Sequence, residues 1–188
     1  MPPRLDGAAR ALARGSLVVF PTDTLLGLGA RASDPSAVAR LERAKRRPSG
    51  QPLSVAVSSY EELEAIARLS PRDRAFLRRK LPGPYTLLVR PSPAARRSLA
   101  AAVARRTMAI GVRIPDHPVA RELARRAGPI TATSANRHGD PPCHTVGEAR
   151  RTFGSEVAVY LPALPRPSGR PSMLVDLTRS SIRLVARG

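Results

Sequence analysis

The sequence predicts a single α/β domain with a twisted, mixed β-sheet flanked by helices. Two observations predict this fold class: apolar, strand-like segments alternate with amphipathic helical segments through most of the chain, and hairpin-like strands lie near its end. The 188 residues, 42% of them hydrophobic, suffice for one buried core, which we expect over about 5–178 of a domain covering 1–188. Because only 3% of the residues are aromatic, Leu, Val, Ile and Ala must fill that core.

Short apolar segments bounded by turn residues predict the strands. These segments are 17–20, 53–57, 85–89, 108–114, 130–133, 157–161, 173–177 and 182–185. Helix-start signals precede most of the predicted helices. They are Asp34-Pro35, capping boxes at 59–62 and 145–148, Ser70-Pro71 and Asp116, and a first helix over 5–14 ends at Gly15. Segment 90–106 predicts only a loop and a short Ala-rich helix, and the Pro-rich segment 162–171 is expected to be a mobile loop.

The chain is strongly basic, with 32 Lys and Arg against 14 Asp and Glu and a formal net charge of +18. One explanation is a polyanionic partner such as RNA, or a nucleotide. The other is GC-rich coding DNA, which enriches Arg, Ala, Pro and Gly together. The arginines are spread along the chain, and the scarce aromatics argue against a surface that stacks the bases of single strands.

The sequence gives no support for a disulfide, a metal site, a catalytic thiol or a membrane-spanning segment. Cys143 is the single cysteine, so neither a disulfide nor a Cys-based zinc site is expected, and no catalytic-thiol signature surrounds it. His117, which precedes Pro118 in a predicted first helical turn, is expected at the surface. The three histidines lack usable metal-site spacing. Without an apolar run of roughly 18 residues or a signal-peptide core, we expect a cytoplasmic protein.

Residues 44–57 join a helical pattern to a buried-strand pattern. Lys45 is one of only two lysines among 32 basic residues, which indicates a task that a guanidinium would not perform. Cations at a rigid corner can bind phosphate or carboxylate. A solvated basic helix end fits the same spacing equally well.

Polar clusters fall at the ends of the predicted strands, where open α/β sheets bind ligands. They are 22–24, 45–51, Arg113 and 134–136, and the two glycines of 25–30 would allow a ligand close to the backbone. Hydroxyls, an amide and cations without an obvious base suit transfer at phosphorus, which depends on positioning and charge neutralisation. Each cluster alone could be a turn, a cap or a surface feature. Their joint placement favours a site.

Six motifs, taken together, resemble the YrdC family of threonylcarbamoyl-AMP synthases from about Leu12 onward. They are Pro-Thr-Asp-Thr-Leu-Leu-Gly-Leu-Gly (21–29), Lys-Arg-Arg-Pro-Ser-Gly-Gln-Pro-Leu (45–53), Leu-Pro-Gly-Pro-Tyr-Thr-Leu (81–87), Gly-Val-Arg-Ile-Pro-Asp-His-Pro (111–118), Thr-Ser-Ala-Asn (133–136) and Ser-Met-Leu-Val-Asp (172–176). The resemblance implies condensation of L-threonine, bicarbonate or CO2, and ATP to threonylcarbamoyl-AMP and pyrophosphate. It further implies a concave basic face, Mg2+ bridging the ATP phosphates, and a downstream transferase that modifies adenosine 37 of tRNA.

The resemblance also implies residue roles. The residues that would hold the ATP phosphates and the reacting carboxylate are Lys45, Arg47, Ser134 and Asn136, of which the first two would be catalytic. The residues that would contact threonine are Thr24, Arg113 and Ser172. Those near the nucleotide would be Gln51, in place of a commoner Asn, and a C-terminal arginine, Arg187 or Arg183.

Some positions depart from the family pattern. They are Leu26 in place of Tyr, Ala56 in place of His, Met173 in place of Thr and His138 in place of Ser. We expect Leu26 and Ala56 to loosen amino-acid selectivity. From the length we expect the short family form, without the second domain of the long members. Two other functions stay open: a non-catalytic module that binds double-stranded RNA or tRNA, and a carbamoyl-adenylate domain of antibiotic or hydrogenase maturation.

Overall fold

The computed structural model describes residues 2–48, 51, 53–105, 108–179 and 181–185. Within them, seven α-helices and eleven strands form a mixed α/β fold, which confirms the predicted class. The helices are α1 (Pro2–Ala13), α2 (Pro35–Ala44), α3 (Tyr60–Ile66), α4 (Pro71–Arg78), α5 (Pro93–Ser98), α6 (Pro118–Ala127) and α7 (Val146–Phe153). The strands are β1 (Val18–Pro21), β2 (Leu26–Gly29), β3 (Ser54–Ala56), β4 (Ala67–Arg68), β5 (Tyr85–Pro91), β6 (Ile110–Arg113), β7 (Ile130–Thr131), β8 (Thr133–Ser134), β9 (Val159–Tyr160), β10 (Met173–Asp176) and β11 (Arg183–Val185).

The strands are divided between two sheets, which the sequence pattern does not separate. One sheet has the order β8-β2-β1-β9, and the other has the order β11-β10-β5-β6-β3-β7 with β4 paired to β5. The pairs β1–β9, β3–β6 and β5–β10 are parallel, and the remaining pairs are antiparallel. The chain passes from one sheet to the other at Ala132, whose N–H donates to the Ser54 carbonyl at 2.8 Å. Residues of both sheets therefore meet at this point.

The core consists of two hydrophobic clusters that share β1. Val18 and Phe20 pack in the cluster under α1 and α6, whereas Val19 packs in the larger one, as the two-residue period of a strand requires. A Cβ at Gly27 or Gly29 would lie 2.9 or 2.8 Å from a ring carbon of Phe20. The predicted reason for these glycines, access for a ligand, is therefore incomplete, because both also make room for the Phe20 ring.

Two predicted helix starts are confirmed. The Asp34 carboxylate accepts hydrogen bonds from the N–H groups of Ser36 and Ala37 at 2.9 and 3.1 Å. Ser70 and Asp73 form a reciprocal capping box at the start of α4. These side chains satisfy backbone donors that a helix cannot pair internally.

The two predicted capping boxes at 59–62 and 145–148 are only half formed. Each hydroxyl accepts the expected hydrogen bond from the backbone of the glutamate. Each glutamate, however, reaches one residue further back, to the N–H of Ser58 or His144, at 2.8 Å in both cases. The helix starts are thus predicted correctly, but each glutamate side chain binds the N–H of the residue before the N-cap and not that of the N-cap itself.

Helix α6 begins differently from the prediction, because His117 and not Asp116 is its N-cap. His117 is 2% exposed, so the expected surface position is wrong. Its Nδ1 accepts from the Val119 N–H at 3.2 Å, which places the proton on Nε2, and Nε2 donates to the Pro165 carbonyl at 3.0 Å. Segment 162–171 contains no helix or strand, and its mobility stays a prediction.

Among the described residues, no helix combines the length and the apolar character needed to cross a membrane.

Candidate active site

A cavity of about 460 Å3 is lined by residues of both sheets. Among its lining residues are five that the sequence predicts as site residues: Thr24, Arg47, Arg113, Ser134 and Ser172. They come from the loop after β1, the end of α2, β6, β8 and the residue before β10. The fold therefore brings together positions that are as much as about 150 residues apart in the sequence.

Arg113 is the most enclosed cation of the cavity, with an exposed fraction of 6%. Its Nη2 donates to the Asp23 carboxylate at 2.5 Å and its Nη1 donates to the Thr24 hydroxyl at 3.0 Å. The Thr22 hydroxyl lies 3.0 Å from the Thr24 hydroxyl and also donates to the Leu25 carbonyl at 2.7 Å. The guanidinium plane is thus held in one orientation before any ligand binds.

A second hydroxyl pair faces the same cavity. The Thr86 and Ser172 hydroxyls lie 2.7 Å apart, and the two residues are 2% and 5% exposed. Thr86 begins the buried part of β5, and Ser172 precedes β10, which runs parallel to β5. A hydroxyl pair of this kind can rotate to donate to, or accept from, a polar ligand.

The end of α2 is built so that neighbouring cations point to different places. The Arg46 N–H donates to the Arg43 carbonyl and the Arg47 N–H donates to the Glu42 carbonyl, both at 2.9 Å. This is a Schellman motif, with Arg46 at φ 50° where Gly is usual. The left-handed residue turns the chain so that Lys45 is buried while Arg47 lines the cavity.

Lys45 is 2% exposed, so the alternative of a solvated helix end is wrong. Its Nζ donates to the carbonyls of Ser134 and Asn136 at 2.5 and 2.6 Å. In the reverse direction, the His138 N–H donates to the Lys45 carbonyl at 2.7 Å, and Arg137 donates to the Ala44 carbonyl. The end of α2 and the loop after β8 are therefore locked together.

Burial lowers the pKa of Lys45 to about 8, and the positive charge of Arg47 contributes in the same direction, whereas Cys143 opposes the change. Burial also lowers the pKa of Arg47, which Glu42 partly offsets. Two desolvated cations side by side raise the electrostatic potential of the cavity. Such a potential favours an anion.

The Ser134 and Asn136 side chains are bonded to each other. The Ser134 hydroxyl donates to Asn136 Oδ1 at 2.5 Å, and Asn136 Nδ2 donates to the carbonyls of Arg137 and Asp140 at 2.8 and 2.7 Å. Ser134 lines the cavity, whereas Asn136 is not among the lining residues and orders the loop behind it. The pair thus consists of one residue at the cavity and one that supports it.

The two departures expected to alter selectivity lie in different surroundings. Leu26 is 1% exposed and lines the cavity. Ala56 is fully buried, packs in the cluster under α1 and α6, and is not a lining residue. Of these two residues, we therefore expect only Leu26 to affect the size of the ligand that the cavity accepts.

Of the other residues predicted to contact the nucleotide, the described ones do not line the cavity. Gln51 is half-buried and is not among the lining residues. Arg187 lies outside the described residues, and Arg183 is exposed on β11. Cys143 is buried, with Sγ 3.6 Å from the Thr152 hydroxyl.

Sequence reasoning missed two polar residues of the site. Asp23, which holds Arg113, was visible only as part of the polar cluster at 22–24, and its pairing with β6 needs the fold. Thr86 stands inside the motif at 81–87 and is the second residue of the predicted strand 85–89. The available signal was a hydroxyl residue near a strand end, where open α/β sheets bind ligands.

Fold and cavity together define an α/β domain with a cation-lined cavity of the size of a small ligand. The Sua5/YciO/YrdC family model, described as "Telomere recombination", matches residues 10–188. This chain belongs to that family.

Relatives with known names agree with this assignment. A Mycobacterium tuberculosis protein is 40% identical over 182 residues, which are 96% of this chain and 82% of the relative. The threonylcarbamoyl-AMP synthase of Chromohalobacter salexigens is 36% identical over 176 residues, which are 93% of this chain and 92% of that protein.

Solved structures agree as well. Pyrococcus abyssi Sua5 complexed with L-threonine superimposes with a TM-score of 0.84 at 31% identity, over 96% of this chain. This chain spans 52% of that one, so it corresponds to about half of Sua5. Escherichia coli YciO, at 22% identity and a TM-score of 0.81 over 96% of this chain and 87% of its own, has the same fold.

Proposed function

We propose that this protein is a threonylcarbamoyl-AMP synthase that condenses L-threonine, bicarbonate or CO2, and ATP to threonylcarbamoyl-AMP and pyrophosphate. The observation that carries the proposal is the meeting of Thr24, Arg113, Ser172, Arg47 and Ser134 around one cavity of about 460 Å3. The named relatives and the threonine-bound neighbour support the same substrates.

Arg113 and the hydroxyls form the amino-acid end of the proposed site. A guanidinium recognises a carboxylate by two parallel hydrogen bonds, and Asp23 and Thr24 already fix its plane. The carboxylate of threonine would bind there in competition with, or alongside, Asp23. Thr86 and Ser172 would then contact the remaining polar groups of the amino acid.

Arg47, Lys45 and Ser134 form the phosphate end. Arg47 lines the cavity and would contact the phosphates directly. Lys45 holds the backbone of Ser134 through Nζ and adds positive charge from behind. Preorganised cations of this kind stabilise charge that develops in a transition state without first having to move.

The proposed chemistry needs no side-chain nucleophile. The neutral amine of threonine attacks the carbon of CO2 and releases a proton to solvent, which leaves a carbamate, and a carbamate oxygen then attacks the α-phosphorus of ATP. The bond from the α-phosphorus to the bridging oxygen breaks, and pyrophosphate leaves with the electron pair. The cavity contributes positioning and charge neutralisation, which account for most of the catalysis of phosphoryl and nucleotidyl transfer.

Mg2+ would enter with the ATP phosphates. The described residues contain no group of three or more His, Cys, Asp or Glu side chains that could hold a metal ion. The lining hydroxyls fit a metal only as single additional ligands. The ion would supply charge neutralisation on the phosphates.

The test is pyrophosphate release from ATP, with threonine and bicarbonate each left out in turn. Release that requires both substrates is the expected result. Release without either substrate, or none in folded protein, would contradict the proposal and favour the alternative of a non-catalytic RNA-binding module. The proposed product would pass to a separate transferase acting on tRNA.

A further inference from the structure

His117 is a buried side chain that the proposed mechanism does not use. Both nitrogens of its ring are nevertheless occupied, since Nδ1 accepts from the Val119 N–H at 3.2 Å and Nε2 donates to the Pro165 carbonyl at 3.0 Å. The first bond is the N-cap of α6, for which helices prefer the shorter Ser, Asp or Asn. The second bond reaches 48 residues along the chain, into segment 162–171, which we call the strap. The second bond, and not the cap, therefore accounts for a histidine at this position.

The strap is held by contacts with other parts of the chain. The structure describes every residue of the strap and places none of them in a helix or strand. Beyond its contact with the histidine, the strap binds the backbone of the loop after β1. The Ser168 N–H donates to the Asp23 carbonyl at 3.1 Å, and the Gly169 N–H donates to the Thr24 carbonyl at 2.8 Å. Gly169 has φ 79°, a left-handed conformation that glycine adopts without strain.

The loop that the strap binds is the same loop that Arg113 holds. Arg113 donates to the side chains of Asp23 and Thr24, whereas the strap donates to the carbonyls of these two residues. Both restraints start from one short connection, because Arg113 ends β6 and His117 is the N-cap of α6. The connection between β6 and α6 therefore fixes the side chains of the loop directly and its backbone through the strap.

The far end of the strap forms part of the cavity wall. Pro171, its last residue, and Ser172, which follows it, both line the cavity. The Ser172 hydroxyl lies 2.7 Å from the Thr86 hydroxyl, so the strap leads into the polar pair at the amino-acid end. The phosphate end has a different support, because Lys45 binds carbonyls at the end of β8 and just beyond it. A change in the strap should therefore affect one end of the cavity and not the other.

We propose that His117 is a positioning residue for the amino-acid substrate. Through the Pro165 carbonyl it anchors the strap, and the anchored strap completes the amino-acid end of the cavity. This role rests on the proposed synthase function only for the identity of the ligand, threonine. A strap that is released for part of the time leaves only a fraction of the molecules competent to bind threonine, and the apparent affinity falls in proportion.

Two substitutions separate the two hydrogen bonds of His117. His117→Asn keeps an oxygen that can cap α6, but its side chain is too short to reach the Pro165 carbonyl. His117→Gln places an amide nitrogen near the position of Nε2, where it can donate to Pro165, and gives up the favourable cap. Gly169→Ala disturbs the strap at its other contact, because alanine at φ 79° is strained. Ser70→Ala is the control for the loss of a helix cap, since Ser70 caps α4 and does not line the cavity.

The measurements are made by NMR on the isotope-labelled protein. Titration with threonine, and separately with ATP, gives two dissociation constants for each variant. Amide hydrogen exchange of Ser168 and Gly169 without ligand reports how firmly the strap is anchored. Urea unfolding establishes that each variant is folded and how much stability it has lost.

For His117→Asn we expect threonine to bind about fivefold more weakly, the size of one lost hydrogen bond, and ATP to bind within about twofold of the wild type. Exchange at Ser168 and Gly169 should be at least about tenfold faster. Gly169→Ala should have the same effects, with exchange judged at Ser168. His117→Gln and Ser70→Ala should stay within about twofold of the wild type in threonine affinity, because both keep the contact with the strap.

Three results would overturn the proposal. The first is unchanged threonine affinity in folded His117→Asn, whatever its exchange rates. The second is an equal loss in His117→Gln and His117→Asn, or an equal loss for threonine and ATP, which would assign the effect to general damage. The third is a wild type that does not bind threonine. A wild type that binds threonine but releases no pyrophosphate would contradict the synthase function and leave the role of His117 intact.

Discussion

The two ends of β5 and its neighbours use arginine in opposite ways. At the cavity end, Arg113 is 6% exposed and donates to Asp23 and Thr24, so its charge is compensated and its plane is fixed. At the opposite end of β5, Arg68 and Arg90 are exposed and face each other across two strands. The first arrangement suits one small ligand in one orientation, whereas the second leaves two like charges screened only by solvent and salt.

The comparison shows that burial, and not residue type, decides what an arginine can do. A buried ion pair depends strongly on both of its partners, because losing either one leaves an uncompensated charge. Exposed arginines are screened by salt and tolerate changes in geometry. Substitutions at the two ends should therefore differ in size and in what they affect.

The largest effect is expected from Arg113→Lys. Arg113 donates to Asp23 and Thr24 through two different nitrogens of its planar guanidinium. Lysine has a single nitrogen and cannot reproduce this geometry, so the Asp23 carboxylate would lose its partner. We predict a fall of at least about 100-fold in kcat/KM for threonine. The same substitution at the other end, Arg90→Lys, is the control and should leave kcat/KM unchanged. Similar losses in both would remove the distinction between the two ends.

Lys45→Ala should lower turnover by about 100-fold, because the site loses a preorganised charge and the support of the Ser134 carbonyl. The control is Lys80→Ala, which removes the other lysine from an exposed position and should have no effect. Steady-state pyrophosphate release measures both variants. Unchanged turnover of Lys45→Ala would disprove a catalytic contribution of this side chain.

The stability of the protein should depend on pH through Lys45. Its pKa is lowered from 10.5 to about 8, so the folded chain releases this proton before the unfolded chain does. The free energy of unfolding should therefore rise as pH increases from about 8 towards 10.5, by up to about 3 kcal/mol relative to Lys45→Met.

Urea unfolding of the wild type and Lys45→Met across this pH range measures the difference. Turnover of the wild type should fall over the same range, because the neutral amine has fewer protons to donate. A stability difference independent of pH would show that the ammonium is not desolvated.

Leu26→Tyr should sharpen amino-acid selectivity. Leu26 lines the cavity, and a larger, hydroxylated side chain would narrow it and add a polar contact. We predict an increase of roughly tenfold in the preference for threonine over serine. Leu26→Phe, which adds the ring without the hydroxyl, separates the two causes. Selectivity unchanged in both variants would show that Leu26 does not shape the amino-acid end.

The smallest effect concerns Arg46, which occupies a left-handed conformation at φ 50°. Arg46→Gly should raise the free energy of unfolding by up to about 1 kcal/mol and leave turnover unchanged. Arg46→Val, the contrasting variant, should lower it. Thermal unfolding resolves both changes, and a loss of stability in Arg46→Gly would contradict the assigned motif.

Much of the fold follows from local sequence signals. Asp34 before Pro35 and Ser70 before Pro71 mark helix starts that depend only on neighbouring residues, and both are confirmed. His117 could not be placed in this way. Its ring is buried because segment 162–171 returns to cover it, and that contact is distant in sequence.

The site was predictable in part for the same reason. Lys45 and Arg113 stood out by residue type and by position at strand or helix ends. The contacts of Lys45, however, depend on the left-handed conformation of Arg46. Glycine is the usual residue in that conformation, and its absence left the end of the helix without a sequence signal. The division of the strands into two sheets, which places Ala56 outside the cavity, is likewise set by tertiary packing.

The most direct test of the proposed function is detection of the product itself. The protein is incubated with ATP, threonine and isotope-labelled bicarbonate, and the mixture is analysed at once by mass spectrometry. The account predicts an adduct that joins AMP to threonine and carries the label, formed by the wild type and by Arg68→Gln/Arg90→Gln but not by Arg113→Lys. Pyrophosphate formed without a labelled adduct, or an adduct that contains no threonine, would contradict it.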